Sequence, residues 1–267
     1  MTGCTRRGFL GMAAGAVALR GESAQERGRQ IIGKTIQALG GDGFRFMETR
    51  TEAGRAYSFY REQLSGLSIA RIDTKYLRND APPGSTKLQQ VQRQSFGKKL
   101  DDAVILTGTE AWEVTYRGAR PLGDERVKQF RDTTLHEVFY ILRIRINEPG
   151  LDFESRGKDV VENQPVEVID IFDSENRNVT VWIHSDTLLP VKQRFLRWDP
   201  IVNDRREEIT RYTKYREAGN GVMWPFNVQR ERDKEKIFEL YSEKVTIGDD
   251  LADSLFALPS GAKILKK

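Results

Sequence analysis

The chain reads as mainly β in an α+β arrangement, an antiparallel sheet with one wetted face and few helices. Three observations predict this. Apolar or aromatic residues alternate with charged ones over ten or eleven short runs. Only two segments, 26–39 and 127–146, repeat apolar residues at helical spacing. No composition break marks a linker across the 267 residues, a length that one all-β domain routinely reaches. With 38% hydrophobic and 31% charged residues, the chain is foldable and has a very polar surface.

The first helix is expected over 26–39, where Ile31, Ile32, Thr35, Ile36 and Leu39 share a face and Gly40-Gly41 stop it. After Gly43 the period changes to two: 55–61 and 67–72 alternate, then Asn79-Asp80-Ala81-Pro82-Pro83-Gly84 forms a turn cluster. Residues 91–96 and 111–117 are further strand candidates. Asp124 is placed to cap the second helix, with Glu125 in its first turn. Val127, Phe130, Thr134, Val138 and Ile141 form one stripe of that helix, with Leu135, Phe139, Leu142 and Ile146 beside it, until Pro149-Gly150 end it. So wide a face either packs on a sheet or covers an apolar cavity as a lid or plug. From 151 onward strands return. Residues 165–172 and 178–184 flank a hairpin turn at 173–176, and 187–198, 207–215, 222–230 and 236–247 follow.

Composition excludes much chemistry. One Cys, Cys4, rules out an internal disulfide framework or a cysteine zinc cluster, and two His leave little for His-rich metal sites. No nucleophile elbow, phosphate-binding loop, dinucleotide fingerprint or two-histidine zinc motif is present. His136-Glu137 lacks a second His at the required spacing, because residue 140 is Tyr. No cofactor, metal or catalytic residue is expected. The net charge of +4 comes from 43 basic and 39 acidic residues, and the basic pairs are scattered. That describes a solvated surface rather than a nucleic-acid stripe.

Aromatic and aliphatic residues carry more information. Val222, Trp224, Phe226 and Val228 share one face of a strand, Phe238 and Leu240 share a face of another, and Trp182 and Trp198 sit on adjacent candidate strands. With Phe130, Val138, Ile141 and Leu142 of the second helix, these Trp and Phe residues and Leu240 are the candidate ligand-binding set. An ordinary sheet core and the lining of a concave apolar pocket demand the same alternation.

The N-terminus, Thr5-Arg6-Arg7-Gly8-Phe9-Leu10-Gly11 followed by a Gly/Ala-rich run, resembles a twin-arginine export signal. Cleavage is expected after Ala18 or Ala24, leaving one domain over 25–267. The expected location is then the periplasm of a bacterium. No run is long enough to span a bilayer.

The segment Val179-Thr-Val-Trp-Ile-His-Ser-Asp-Thr-Leu-Leu-Pro-Val-Lys192 resembles a hairpin of the outer-membrane lipoprotein-sorting (LolA-like) family. The close, Asp253-Ser-Leu-Phe-Ala-Leu-Pro-Ser-Gly-Ala-Lys263, resembles the end of those proteins, and the helix ending in Ala38-Leu39-Gly40-Gly41 matches their start. The order of elements fits over about 25–260. The resemblance implies a curved antiparallel sheet forming an incomplete barrel, with helices on the concave side and acyl chains held in the hollow. It further implies a non-catalytic carrier whose partners are lipid or an acylated lipoprotein, together with an inner- or outer-membrane protein. An envelope sensor or scaffold and an envelope hydrolase using carboxylates or His184 are the alternatives.

Overall fold

The computed structural model describes residues 22–77, 88–199 and 202–265. The export-signal reading and the 79–84 turn cluster lie outside them, apart from the last residues before 25. Thirteen strands follow in chain order: β1 (Thr49–Tyr60), β2 (Gln63–Tyr76), β3 (Gln90–Phe96), β4 (Asp102–Leu106), β5 (Ala111–Thr115), β6 (Gly118–Pro121), β7 (Asp152–Val161), β8 (Gln164–Phe172), β9 (Asn178–His184), β10 (Pro190–Asp199), β11 (Asp204–Glu217), β12 (Met223–Arg232) and β13 (Glu235–Ile247). They form one antiparallel sheet in the order β6-β5-β4-β3-β2-β1-β13-β12-β11-β10-β9-β8-β7. β6 and β7 do not meet, so the sheet is curved but open. The helices are α1 (Ala24–Ala38), α2 (Asp42–Arg45), α3 (Asp124–Leu135) and α4 (Val138–Tyr140), and α4 continues as a π-helical turn, Ile141–Arg145.

α1 starts two residues earlier than the apolar spacing predicts because a capping box fixes its end. The Glu26 N–H donates to Ser23 Oγ at 3.1 Å, and the Ser23 N–H donates to Glu26 Oε2 at 2.9 Å. Ile31, Ile32 and Ile36 face the sheet. Gly28 lets the helix approach β7 closely: a Cβ there would stand 2.3 Å from the Phe153 carbonyl oxygen. The helix ends where expected, with Gly40 in the left-handed region at φ 120°.

β4 and β6 were not anticipated as strands. β4 reads Asp-Ala-Val-Ile-Leu, an apolar run without alternation, because both of its faces are covered. Ala103 and Ile105 pack with Val114, Ala119, Leu258 and Ala262 on the side away from the helices. β6 is four residues long and contains Gly118 and Pro121, and its edge is taken by a parallel bridge from Ala119 to Ile264.

The expected single helix over 127–146 is broken in two. Glu137 has ψ 124°, an extended value, so α3 stops and α4 begins in a new direction. Buried Gln193 of β10 holds the break. Its Oε1 accepts from the Val138 N–H at 2.8 Å and from the Tyr212 hydroxyl at 2.7 Å, and its Nε2 donates to the His136 carbonyl at 3.3 Å. His136 stacks on Phe195 with ring centroids 4.3 Å apart. Asp124 does not cap α3: the N-cap is Gly123, which makes no side-chain bond.

Candidate ligand site on the concave face

The concave face divides into two regions. Over β7–β12, α1, α2 and α4 fill it completely. Val138, Phe139, Ile141 and Leu142 are at most 2% exposed, and they join Trp224, Phe226, Ile169, Val181, Phe195 and Tyr212 in one core. Phe139 is the hub, edge-on to Phe44 and Tyr212 and tilted on Trp224 at 4.6 Å. No room for a ligand is left between these side chains, since close packing of this kind excludes even small voids. Val138, Ile141, Leu142, Trp224 and Phe226 are therefore core residues in this conformation.

The second region lies over β1, β2, β3 and β13. Its apolar floor is a separate small cluster: Ala56, Ala70 and Leu240 are buried, with half-buried Ile72, Phe96 and Phe238 against them. Register puts these residues on the face that carries Val228 and, further along β13, core residues Val245 and Ile247. Phe238 and Leu240 are thus on the concave face but outside the main core. Two of the floor residues are alanines, whose short side chains leave space above the sheet.

α3 runs from the end of β6 to the Gln193 junction, beside β5 and the start of β3, where Thr134 Oγ1 accepts from Gln90 Nε2 at 3.5 Å. It is held loosely, with Val127, Phe130 and Arg131 half-buried and only Thr134 and Leu135 buried near its C-terminus. Phe130 leans on a third small cluster, Leu88, Leu135 and Tyr140.

Polar groups line the junction of the two regions. Arg50 is buried, donates to Glu52 at 2.9 Å and to the Tyr76 hydroxyl at 2.5 Å, and stacks over Trp224 at 4.1 Å. Glu137, at the helix break, faces the same network. Burial holds its carboxyl above the usual glutamate range, while the Arg50 and Arg230 guanidiniums pull the other way.

The two remaining candidates are corrected by strand parity. Val179, Val181 and Ile183 of β9 face the helices, so Trp182 points to the convex side. There it borders a charged depression of about 600 Å³, with Lys192 over its ring at 4.4 Å. On β10 Phe195 faces inward and Trp198 outward, where it is 51% exposed. Neither tryptophan belongs to a concave lining. His184 accepts the Asp186 N–H at 3.1 Å and the Thr187 N–H at 3.3 Å through Nδ1, which occupies it in shaping a turn.

Three residues important to this site were missed in the sequence. Gln193 lies in a segment that reads as ordinary, Glu137 reads only as the second residue of an incomplete zinc motif, and Ala70 is too small to stand out. In Pro190-Val-Lys-Gln-Arg-Phe195, Gln193 stands between Lys192 and Arg194, so nothing in the segment marks it as buried.

Among the described residues no helix is long and apolar enough to cross a membrane, and no group of three or more His, Cys, Asp or Glu gathers as a metal site. No protein-family model matches the sequence, and no curated protein matches it significantly. Solved structures do resemble it. A DUF1329 family protein from Desulfovibrio piger superposes with a TM-score of 0.59 at 11% identity, covering 88% of this chain and 98% of the other. An outer membrane lipoprotein-sorting protein domain from Vibrio parahaemolyticus gives 0.55 at 10% identity, covering 87% and 97%. A LolA superfamily protein from Nitrosomonas europaea gives 0.46 at 13% identity over 84% and 96%. The open, curved thirteen-stranded sheet with helices on its concave side is the LolA-like fold.

Proposed function

We propose that the chain is an exported, non-catalytic binding or carrier protein for lipid or lipoprotein acyl chains, working as a single domain over 25–267 in the periplasm. One observation carries the reading: the apolar cluster of Ala56, Ala70, Leu240, Ile72, Phe96 and Phe238 lies on the concave face apart from the main core, and no α3 side chain packs on it. Ile72, Phe96 and Phe238 are only half-buried there, and displacing α3 would add the half-buried Val127 and Phe130 to the apolar surface. An acyl chain gains about 0.8 kcal/mol per buried CH2. Fifteen methylenes are then worth on the order of 12 kcal/mol, ample to offset the loss of the few contacts that α3 makes. The shared fold with a lipoprotein-sorting domain supports the reading as analogy.

The test is uptake of a fluorescent fatty acid by the purified chain, with native mass spectrometry to count bound lipid. Phe238→Asp is expected to abolish uptake while the circular dichroism spectrum is retained, since Phe238 is half-buried and outside the main core. Substitutions at Val138 or Trp224 are unsuitable, because an unpaired charge there would unfold the chain. A folded protein that takes up no lipid, or a Phe238→Asp variant that binds as well as the parent, would refute the proposal.

A second reading, binding of an envelope protein, rests on Leu64, Leu67 and Ile69, which stand exposed on the convex face of β2. Co-purification of a stoichiometric protein partner lost in Leu67→Asp would favour it.

A further inference from the structure

In an antiparallel sheet of this order, the β1–β2, β5–β6 and β10–β11 hairpins all turn at the same end of the strands. Each of these turns carries an exposed aromatic residue beside an arginine. Tyr60 is 66% exposed with Arg61 over its ring at 5.3 Å. Tyr116 is 80% exposed with Arg117 over its ring at 5.3 Å. Trp198 is 51% exposed, and its cross-strand partner is Arg205. Exposed Leu64 and Val202 add apolar surface at the first and third turns. None of the three arginines has a carboxylate partner among the described residues.

A solvated turn has no need of large aromatic side chains, and leaving them in water is unfavourable. The same chemistry at three separate turns along one rim calls for a common surface. Tyr and Trp are amphipathic and sit at the headgroup level of a bilayer. Arginine is the side chain best suited to grip phosphate, through its planar fork of donors. We infer that this rim docks on a phospholipid membrane, aromatic side chains at the headgroup level and Arg61, Arg117 and Arg205 on lipid phosphates. Glu62, Asp101, Asp204 and Glu235 share the rim with Lys98, Lys99 and Lys234, so both signs are interspersed and no large field of one sign builds up. Attachment therefore rests on contact rather than on long-range attraction, and salt weakens it only partly.

This inference does not depend on acyl-chain uptake, so the two fail separately. The test is co-sedimentation of the full chain with vesicles of phosphatidylcholine alone and of phosphatidylcholine with phosphatidylglycerol, together with tryptophan fluorescence. Binding to both vesicle types is expected, tighter with phosphatidylglycerol, with a blue shift of Trp198 emission that is absent in Trp198→Phe. The combined variant Tyr60→Ser, Tyr116→Ser, Trp198→Ser should lose about tenfold or more in affinity for both. Arg61→Glu, Arg117→Glu, Arg205→Glu should remove the preference for phosphatidylglycerol. All six side chains lie at surface turns, so circular dichroism is expected to match the parent. Absence of vesicle binding by the folded chain, or full binding by the aromatic variant, would overturn the inference.

Discussion

The two regions of the concave face are built from the same sheet yet packed differently. Over β7–β12, side chains from α1, α2 and α4 interdigitate around Phe139, and residues 138–142 are almost wholly inaccessible. Over β1–β3 and β13, the small cluster of Ala56, Ala70 and Leu240 has only half-buried Ile72, Phe96 and Phe238 packed against it. One region therefore supplies stability and the other leaves apolar surface only partly covered. The boundary is the Gln193–Glu137 junction, where one helical run is split in two.

The comparison breaks first at its hub. Phe139→Ala should cost about 4 kcal/mol, read from urea unfolding, because it opens a cavity among three aromatic neighbours. A cost under about 1 kcal/mol would mean that the filled region is not the stabilising one. Gln193→Leu comes next, at about 3 kcal/mol, since it strands the Val138 N–H, the Tyr212 hydroxyl and the His136 carbonyl. Hydrogen exchange should then rise selectively in α3 and α4. In the thinly covered region, Phe238→Ala should cost only about 1 kcal/mol, half a full transfer value. Equality with the Phe139 variant would erase the distinction.

A pH series sharpens the boundary. The folded-state pKa of Glu137 lies above its unfolded value, so the folded chain holds the extra proton between the two. Stability contributed by that proton is present below about pH 4.3, the ordinary glutamate value, and is lost as pH rises through the folded pKa. Glu137→Gln removes this loss. It should raise Tm at neutral pH, with no gain at acid pH. A uniform shift at all pH values would exclude the titration. The smallest effect is at the start of α3. Gly123→Ser supplies the missing cap, and a Cβ there meets nothing within 4 Å. A gain of a few tenths of a kcal/mol is expected, with slower fatty-acid release in stopped-flow if α3 is the moving part.

Much of the fold was legible in the chain. Period-two alternation located most strands, and the Gly40-Gly41 stop ended α1 where it does end. β4 escaped because a strand covered on both faces shows no alternation, and β6 because it is too short to show any. The face of Trp182 was within reach of a parity argument, since Asn178, Thr180 and His184 on its side of β9 are polar and Val179, Val181 and Ile183 are not. The face of Trp198 was less accessible, because β10 mixes apolar and charged residues on both sides.

The sequence by itself determined the local periods, the helix stops and the turns, since these depend on neighbours within a few residues. Only the tertiary structure decided which apolar side chains fill the hollow and which merely floor it. That choice depends on where β10 meets the run 127–146, fifty residues away, and on a side chain, Gln193, whose bonding partners exist only once the sheet has curled around them.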